Sequence, residues 1–253
     1  MTENSAGRQM ETLGGSRALQ SPGSFSGRAS RSLVGVLLFA LAVRFFVVYA
    51  LPFLVDVSPD HFGGLWPRRR WLVGHIVCGG LALLVGPFQF WSGLRRRFML
   101  IHRWTGRLYL VGVLAGGSAA FYLVSQTERG ALFGLSLGAQ GVAWWVTSGL
   151  AYLAIQRGDV RRHKEWVVRS YIVTLAFVTF RGSEELGILR ILGRQPVIAL
   201  IWLSWTVPLL AAELFIQRRN VTARRLALSN QRLTCRRRGN IGQSERSLSG
   251  RRK

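Results

Sequence analysis

Lysine is nearly absent from this chain. Of its 34 basic residues only Lys164 and Lys253 are lysines, and the rest are arginines, a bias that codon usage alone would produce. Acidic residues are also scarce, eleven in 253, which leaves a formal net charge of +23. There are two cysteines, Cys78 inside an apolar run and Cys235 in a basic tail, so no disulfide framework is implied. Several catalytic signatures are missing too. The chain has no His-Glu-x-x-His pair, no Walker loop, no dinucleotide fingerprint and no serine, cysteine or aspartyl catalytic arrangement. These absences exclude the commonest soluble enzyme classes and direct attention to the apolar residues, which make up 49% of the chain.

Those residues cluster in six windows nearly free of charge, at about Leu33–Leu54, Trp71–Leu94, Thr105–Ser125, Phe133–Gln156, Trp166–Phe180 and Pro196–Ile216. Each approaches the ~20 residues that cross a hydrocarbon core of roughly 30 Å. A soluble helix of that length would carry a polar stripe at helical spacing, and these do not. The expectation is an all-α polytopic membrane bundle of about six transmembrane helices. A Ser-, Gly- and Arg-rich disordered leader over 1–31 precedes the bundle of 32–217, and a basic disordered tail over 218–253 follows it. Val48-Tyr49-Ala50 resembles a signal cleavage site, but Arg44 interrupts the run, so an uncleaved first helix is expected.

Basic residues in the short loops set orientation. Arg95, Arg96, Arg97, Arg103 and Arg107 crowd one loop, and Arg157, Arg161, Arg162, Lys164 and Arg169 crowd another. The alternate loops are poorer: Arg68–Arg70, Arg129, and Arg190 with Arg194. Both termini and the two basic loops should therefore face the cytoplasm of a cell-membrane protein, with Arg68–Arg70 pulling the other way. The tail from Gln217 carries a net +11, which reads as a topology determinant touching anionic lipid head groups rather than a specific nucleic-acid binder.

This orientation places two of the four histidines on each side. His102 and His163 open the third and fifth apolar windows at the cytoplasmic side, while His61 and His75 lie towards the outside. At helical spacing His102, Gly106, Tyr109 and Gly116 share a face, as do His163, Ser170, Thr174, Phe177 and Arg181. Arg181 falls some 27 Å from His163, near the far boundary. Neutral imidazoles on facing helices are the usual way a membrane bundle holds haem iron, since they supply lone pairs without burying charge. His102 and His163 are candidate ligands to a b-type haem, and Arg103, Arg107, Arg169 and Arg181 are candidate partners for its propionates. His75, with or without His61, would make a second cofactor site. Zinc at His61, His75 and Asp56 or Asp60 matches no established spacing. A histidine heading a helix can equally cap it or meet lipid. Gln89, beside the Pro87 kink, should hydrogen-bond to a neighbouring helix, while Gly112/Gly116 and Gly134/Gly138 should let helices approach closely. Arg44, within a window, should pair with a carboxylate or snorkel.

Three stretches carry a resemblance. They are His75-x3-Gly79 running into Gly86-Pro87-Phe88-Gln89-Phe90; Leu94-Arg95-x-Arg97 with His102-Arg103-Trp104-x-Gly106-Arg107-x-Tyr109; and His163-x2-Trp166-x2-Arg169-Ser170-Tyr171 with Arg181 downstream. Across roughly 71–186 the chain resembles the family of predicted bacterial membrane proteins known as domain of unknown function 2306. Trp166-Val167 stands where that family more often has Trp-Met. The resemblance implies a multi-pass membrane protein and carries no activity or cofactor. Three functions stay open on the residues: a haem-binding electron-transfer component with a membrane redox partner, a small-solute or lipid transporter with a polar cavity near Gln89, and a structural or assembly protein.

Overall fold

The computed structural model describes residues 23–90, 97–187 and 197–249, and every element among them is helical. Among these residues the α-helices are, in order, α1 Gly23–Phe45, α2 Pro52–Val55, α3 Pro59–Phe62, α4 Arg69–Phe90, α5 Met99–Ser125, α6 Ala131–Gln156, α7 Val160–Thr174, α8 Ala176–Glu185 and α9 Val197–Ser249. A π-helical turn over Phe46–Ala50 closes α1, and a 3-10 turn over Gly63–Arg68 leads into α4. Residues 1–22, Arg95, Arg96, Arg190 and Arg194 lie outside the described residues. So do Leu94, which opens one of the family-like stretches, and Pro196, which opens the last apolar window.

The expected windows translate unevenly into helices. By length and apolarity three helical stretches among the described residues suffice to cross a membrane: Pro59–Phe90, Met99–Ser125 and Val197–Leu226. The first window yields a shorter apolar helix, Gly35–Ala50. The fourth becomes α6, 26 residues without a charged side chain. The fifth is divided, α7 ending at Thr174 and α8 beginning at Ala176, with Leu175 at the joint. Near residue 218 there is no break, because α9 runs on through the basic segment to Ser249.

The helices pack up and down, with α4 against α5 and α6 against α7 as the most extensive pairs. The chain thus has two ends. One, the basic end, is where α4 and α6 finish and α5 and α7 begin. The other holds the junctions of α1 with α4 and of α5 with α6.

Small residues decide how tightly α4 and α5 meet. A Cβ at Gly112 would stand 2.7 Å from the Cys78 carbonyl oxygen, and one at Gly116 would stand 3.2 Å from the Gly79 nitrogen. Only glycine fits at the first position and any side chain is tight at the second, which agrees with the reading of Gly112/Gly116 as a close helix contact. The core beside it gathers Ala82, Tyr109, Val113, Trp144, Tyr171 and Val173. Hydroxyls and amides sit inside as well: Ser136, Ser148 and Ser170 are all but fully buried, while Leu114, Leu132, Leu135, Val207 and Leu210 are exposed. Apolar outside and polar within is the pattern of a bundle solvated by lipid, where backbone and buried polar groups must be satisfied internally.

Candidate functional site

The basic end holds a partly open cavity of about 120 Å³, lined by Gln89 and Phe90 of α4, His102 of α5, and His163, Lys164, Val167 and Val168 of α7. His102 and His163, placed at one depth by the sequence, border the same space. The local chain explains the position of His163. Gly158, with φ of +72°, makes a turn that a side chain would strain, and the Asp159 carboxylate then caps α7 by accepting from the Arg162 N–H at 2.9 Å. His163 follows one turn into the helix, facing back onto the end of α6. Its Nδ1 lies 2.9 Å from the Ala151 carbonyl oxygen. A carbonyl only accepts, so Nδ1 carries a proton, and in the neutral form of the ring Nε2 keeps the lone pair.

Gln89 is oriented by the same kind of argument. The Thr105 hydroxyl gives its proton to the main chain, at 2.8 Å from the Ile101 oxygen, so Oγ1 accepts from Gln89 Nε2 at 2.7 Å. That leaves Oε1 as the acceptor at the other face of a side chain only 9% exposed. The position of a Cβ at Gly106 lies 3.5 Å from this Oε1, so α5 presents no side chain there. Gln89 Oε1 and, in the neutral ring, His163 Nε2 are thus acceptors among the residues that line the cavity, and Lys164 belongs to the same lining.

Deeper in the bundle a chain of hydroxyls joins α5, α6 and α7. Tyr109 meets Ser170 at 2.7 Å and Thr174 at 2.8 Å; Ser148 meets Ser170 at 2.7 Å; and Trp144 Nε1 donates to Thr174 Oγ1 at 2.8 Å. Thr174 donates to the Ser170 carbonyl at 3.0 Å. With that proton committed, Tyr109 must donate to Thr174, Ser170 to Tyr109, and Ser148 to Ser170. The chain runs one way and ends on a backbone oxygen, so it clamps three helices rather than relaying protons. Its signal in the sequence was the polar face shared by Ser170 and Thr174; Ser148 and Trp144 of α6 were missed.

The arginines nominated as cofactor partners are not at the cavity. Arg103 is exposed, and Arg107 lies 4.9 Å over the Trp104 ring. Arg169 donates through Nε to Glu213 of α9 at 2.9 Å and lies 4.7 Å over Trp166. Arg181 is at the far end, paired with Glu184 at 2.7 Å and 5.4 Å over Tyr49. Arg44, expected to pair or snorkel, pairs: it reaches Glu185 at 2.9 Å, and the Tyr49 hydroxyl also donates to that carboxylate.

At the far end the other two histidines are separately engaged. His75 donates from Nδ1 to the Gly116 carbonyl at 2.9 Å, with Phe177 beside its ring at 6.4 Å. His61 lies 3.9 Å from Asp56 and 4.6 Å from the Phe53 ring. Among the described residues no three His, Cys, Asp or Glu side chains come together as a metal site.

No curated protein and no solved structure matches the chain. The family model for predicted membrane proteins, DUF2306, matches residues 72–216, from the start of the α4 apolar run into α9. That interval contains His75, Gln89, His102 and His163, the close-packed α4–α5 pair and the hydroxyl clamp. The outward apolar faces, the inward polar groups and this match agree: the chain belongs to the DUF2306 family of predicted membrane proteins.

Proposed function

We propose that this membrane protein binds a small, hydrogen-bond-donating solute in the cavity at its basic end. The observation that carries the reading is the cavity itself, in which Gln89, His102 and His163 from three helices border one space of about 120 Å³. Pockets for drug-sized ligands run to roughly 300–1,000 Å³, so this space suits a handful of heavy atoms or a few waters. Gln89 Oε1 and the Nε2 of a neutral His163 accept, which selects an occupant with two donors.

The bundle that presents this site crosses the membrane about six times, α7 and α8 together making the fifth passage. The charge-free length of α6, about 39 Å, supports that count. The basic end lies in the cytoplasm of a cell-membrane protein with both termini on that side, where the arginines of the loops and of α9 meet anionic head groups. In chain order the bundle is 32–217, between a leader and a basic tail.

A test uses a cysteine reporter. Val167→Cys in a background lacking Cys78 and Cys235 should react with a water-soluble thiosulfonate added from the basic side, and small amides or alcohols should slow it. An unreactive cysteine would mean a sealed bundle and no such site.

The b-type haem reading keeps one observation in its favour, the Nε2 lone pair that the Ala151 bond leaves on His163. Against it stand the cavity volume and the engagement of Arg103, Arg107, Arg169 and Arg181 elsewhere. A reducible Soret and alpha band in the purified protein, lost in His102→Ala and His163→Ala, would replace the solute reading with this one and bring a membrane redox partner with it.

A further inference from the structure

At the end opposite the histidine cavity a shallow groove of about 500 Å³ runs between α4 and α5, lined by Arg70, Trp71, Gly74, Cys78, Ala115 and Ala119. We propose that it holds one acidic phospholipid, with the phosphate on the Arg70 guanidinium and the upper part of an acyl chain along the small residues.

Charge is the first argument. Arg68–Arg70 is the cluster that runs against the charge asymmetry of the loops. Arg68 is matched by Glu128 at 3.1 Å, and Arg69 lies 4.1 Å over the Trp66 ring with Nη1 on the Trp66 carbonyl at 3.2 Å. Arg70 has no acidic partner among the described residues, and it stands at the head of the groove. Its planar fork of donors is shaped for phosphate.

Shape is the second. Arg70, Gly74 and Cys78 fall on successive turns of α4, opposite Ala115 and Ala119 of α5, and the floor is sunk because Gly112 lets the two backbones close on each other. From Arg70 to Cys78 the furrow descends about 12 Å, most of the ~15 Å depth of one leaflet. Trp71 stacks on Tyr122 at 4.4 Å beside the mouth, an amphipathic pair suited to the head-group boundary. Small-residue furrows also seat helices. A second copy docked here about a two-fold axis along the membrane normal would set its Arg70 against this one, which disfavours it.

The test uses the purified full chain carrying Cys235→Ser, in detergent, with native mass spectrometry under titration by phosphatidylglycerol or phosphatidylcholine. Phosphatidylglycerol should be retained about tenfold more tightly. Arg70→Gln should erase that preference, and Ala119→Trp should lower occupancy by both lipids. Equal retention of the two lipids by the parent chain, or a preference that survives Arg70→Gln, overturns the proposal. An independent reading on the parent fold is maleimide labelling of Cys78, which phosphatidylglycerol should slow and phosphatidylcholine should not; a rate indifferent to both overturns it as well. Efficient Cys78–Cys78 cross-linking that phosphatidylglycerol leaves unchanged would assign the groove to a second copy instead.

Discussion

The two ends of the bundle use the same device to different effect. At each a histidine gives its Nδ1 proton to a main-chain carbonyl of a neighbouring helix, His163 to Ala151 and His75 to Gly116. Around His163 the helices stand apart and leave a cavity shared with His102 and Gln89. Around His75 they have closed, because Gly112 and Gly116 carry the α4 backbone onto α5. The ring beside the close glycine contact serves as a strut, and the ring that borders the cavity becomes part of a site. Residue type did not distinguish them; the space left by the neighbouring helices did.

The strongest way to break this comparison is to force the closed end open. Gly112→Val drives a side chain into the Cys78 carbonyl and should destabilise the bundle by about 3 kcal/mol, the upper range for overpacking, read as a fall in the unfolding midpoint in mixed micelles. Loss of Arg169 strikes the basic end instead. Arg169→Met leaves the Glu213 carboxylate with the Gln217 amide but no cation, and since Glu213 is one-third exposed the cost should be about 2 kcal/mol, below that of a fully buried pair. Tyr109→Phe acts between the ends, removing the hydroxyl that joins Ser170 to Thr174, for about 1 kcal/mol by the same measurement.

Chemical modification sharpens the comparison directly. Diethylpyrocarbonate should modify His163 well before His75, as read by peptide mass spectrometry on the intact protein; equal rates would show that both rings lie equally open. The smallest effect is expected at Arg44→Gln. Its pair with Glu185 lies at the bundle surface and the Tyr49 hydroxyl remains on that carboxylate, so the unfolding midpoint should move less than for the other variants.

Much of this molecule was readable from residue order. The apolar windows became helices, Gly112/Gly116 made the close contact, and the two pairs of histidines separated to the two ends as the alternation of helices required. The arginines were not readable. Arg103, Arg107 and Arg169 sit within a turn or two of His102 or His163 in sequence, yet a long flexible side chain goes to whichever ring or carboxylate its helix face meets: Trp104, or Trp166 with Glu213. Arg181 shares a helical face with His163 but lies at the other end, where Glu184 is three residues away. The hydroxyl clamp was hidden for a different reason. Serine and threonine in apolar helices usually bond their own backbone, so nothing in Ser148 or Ser170 alone announces a partner on another helix.

By itself the sequence determined that this is a helical membrane protein, which stretches are helical, and which histidines share an end, because length and hydropathy act along one dimension. The tertiary structure alone decided how each helix is rotated about its axis, and so which residues face one another. That rotation is set by the points where glycine lets backbones touch and where side chains hold them apart. It made one histidine a strut and placed the other, with His102 and Gln89, around a cavity.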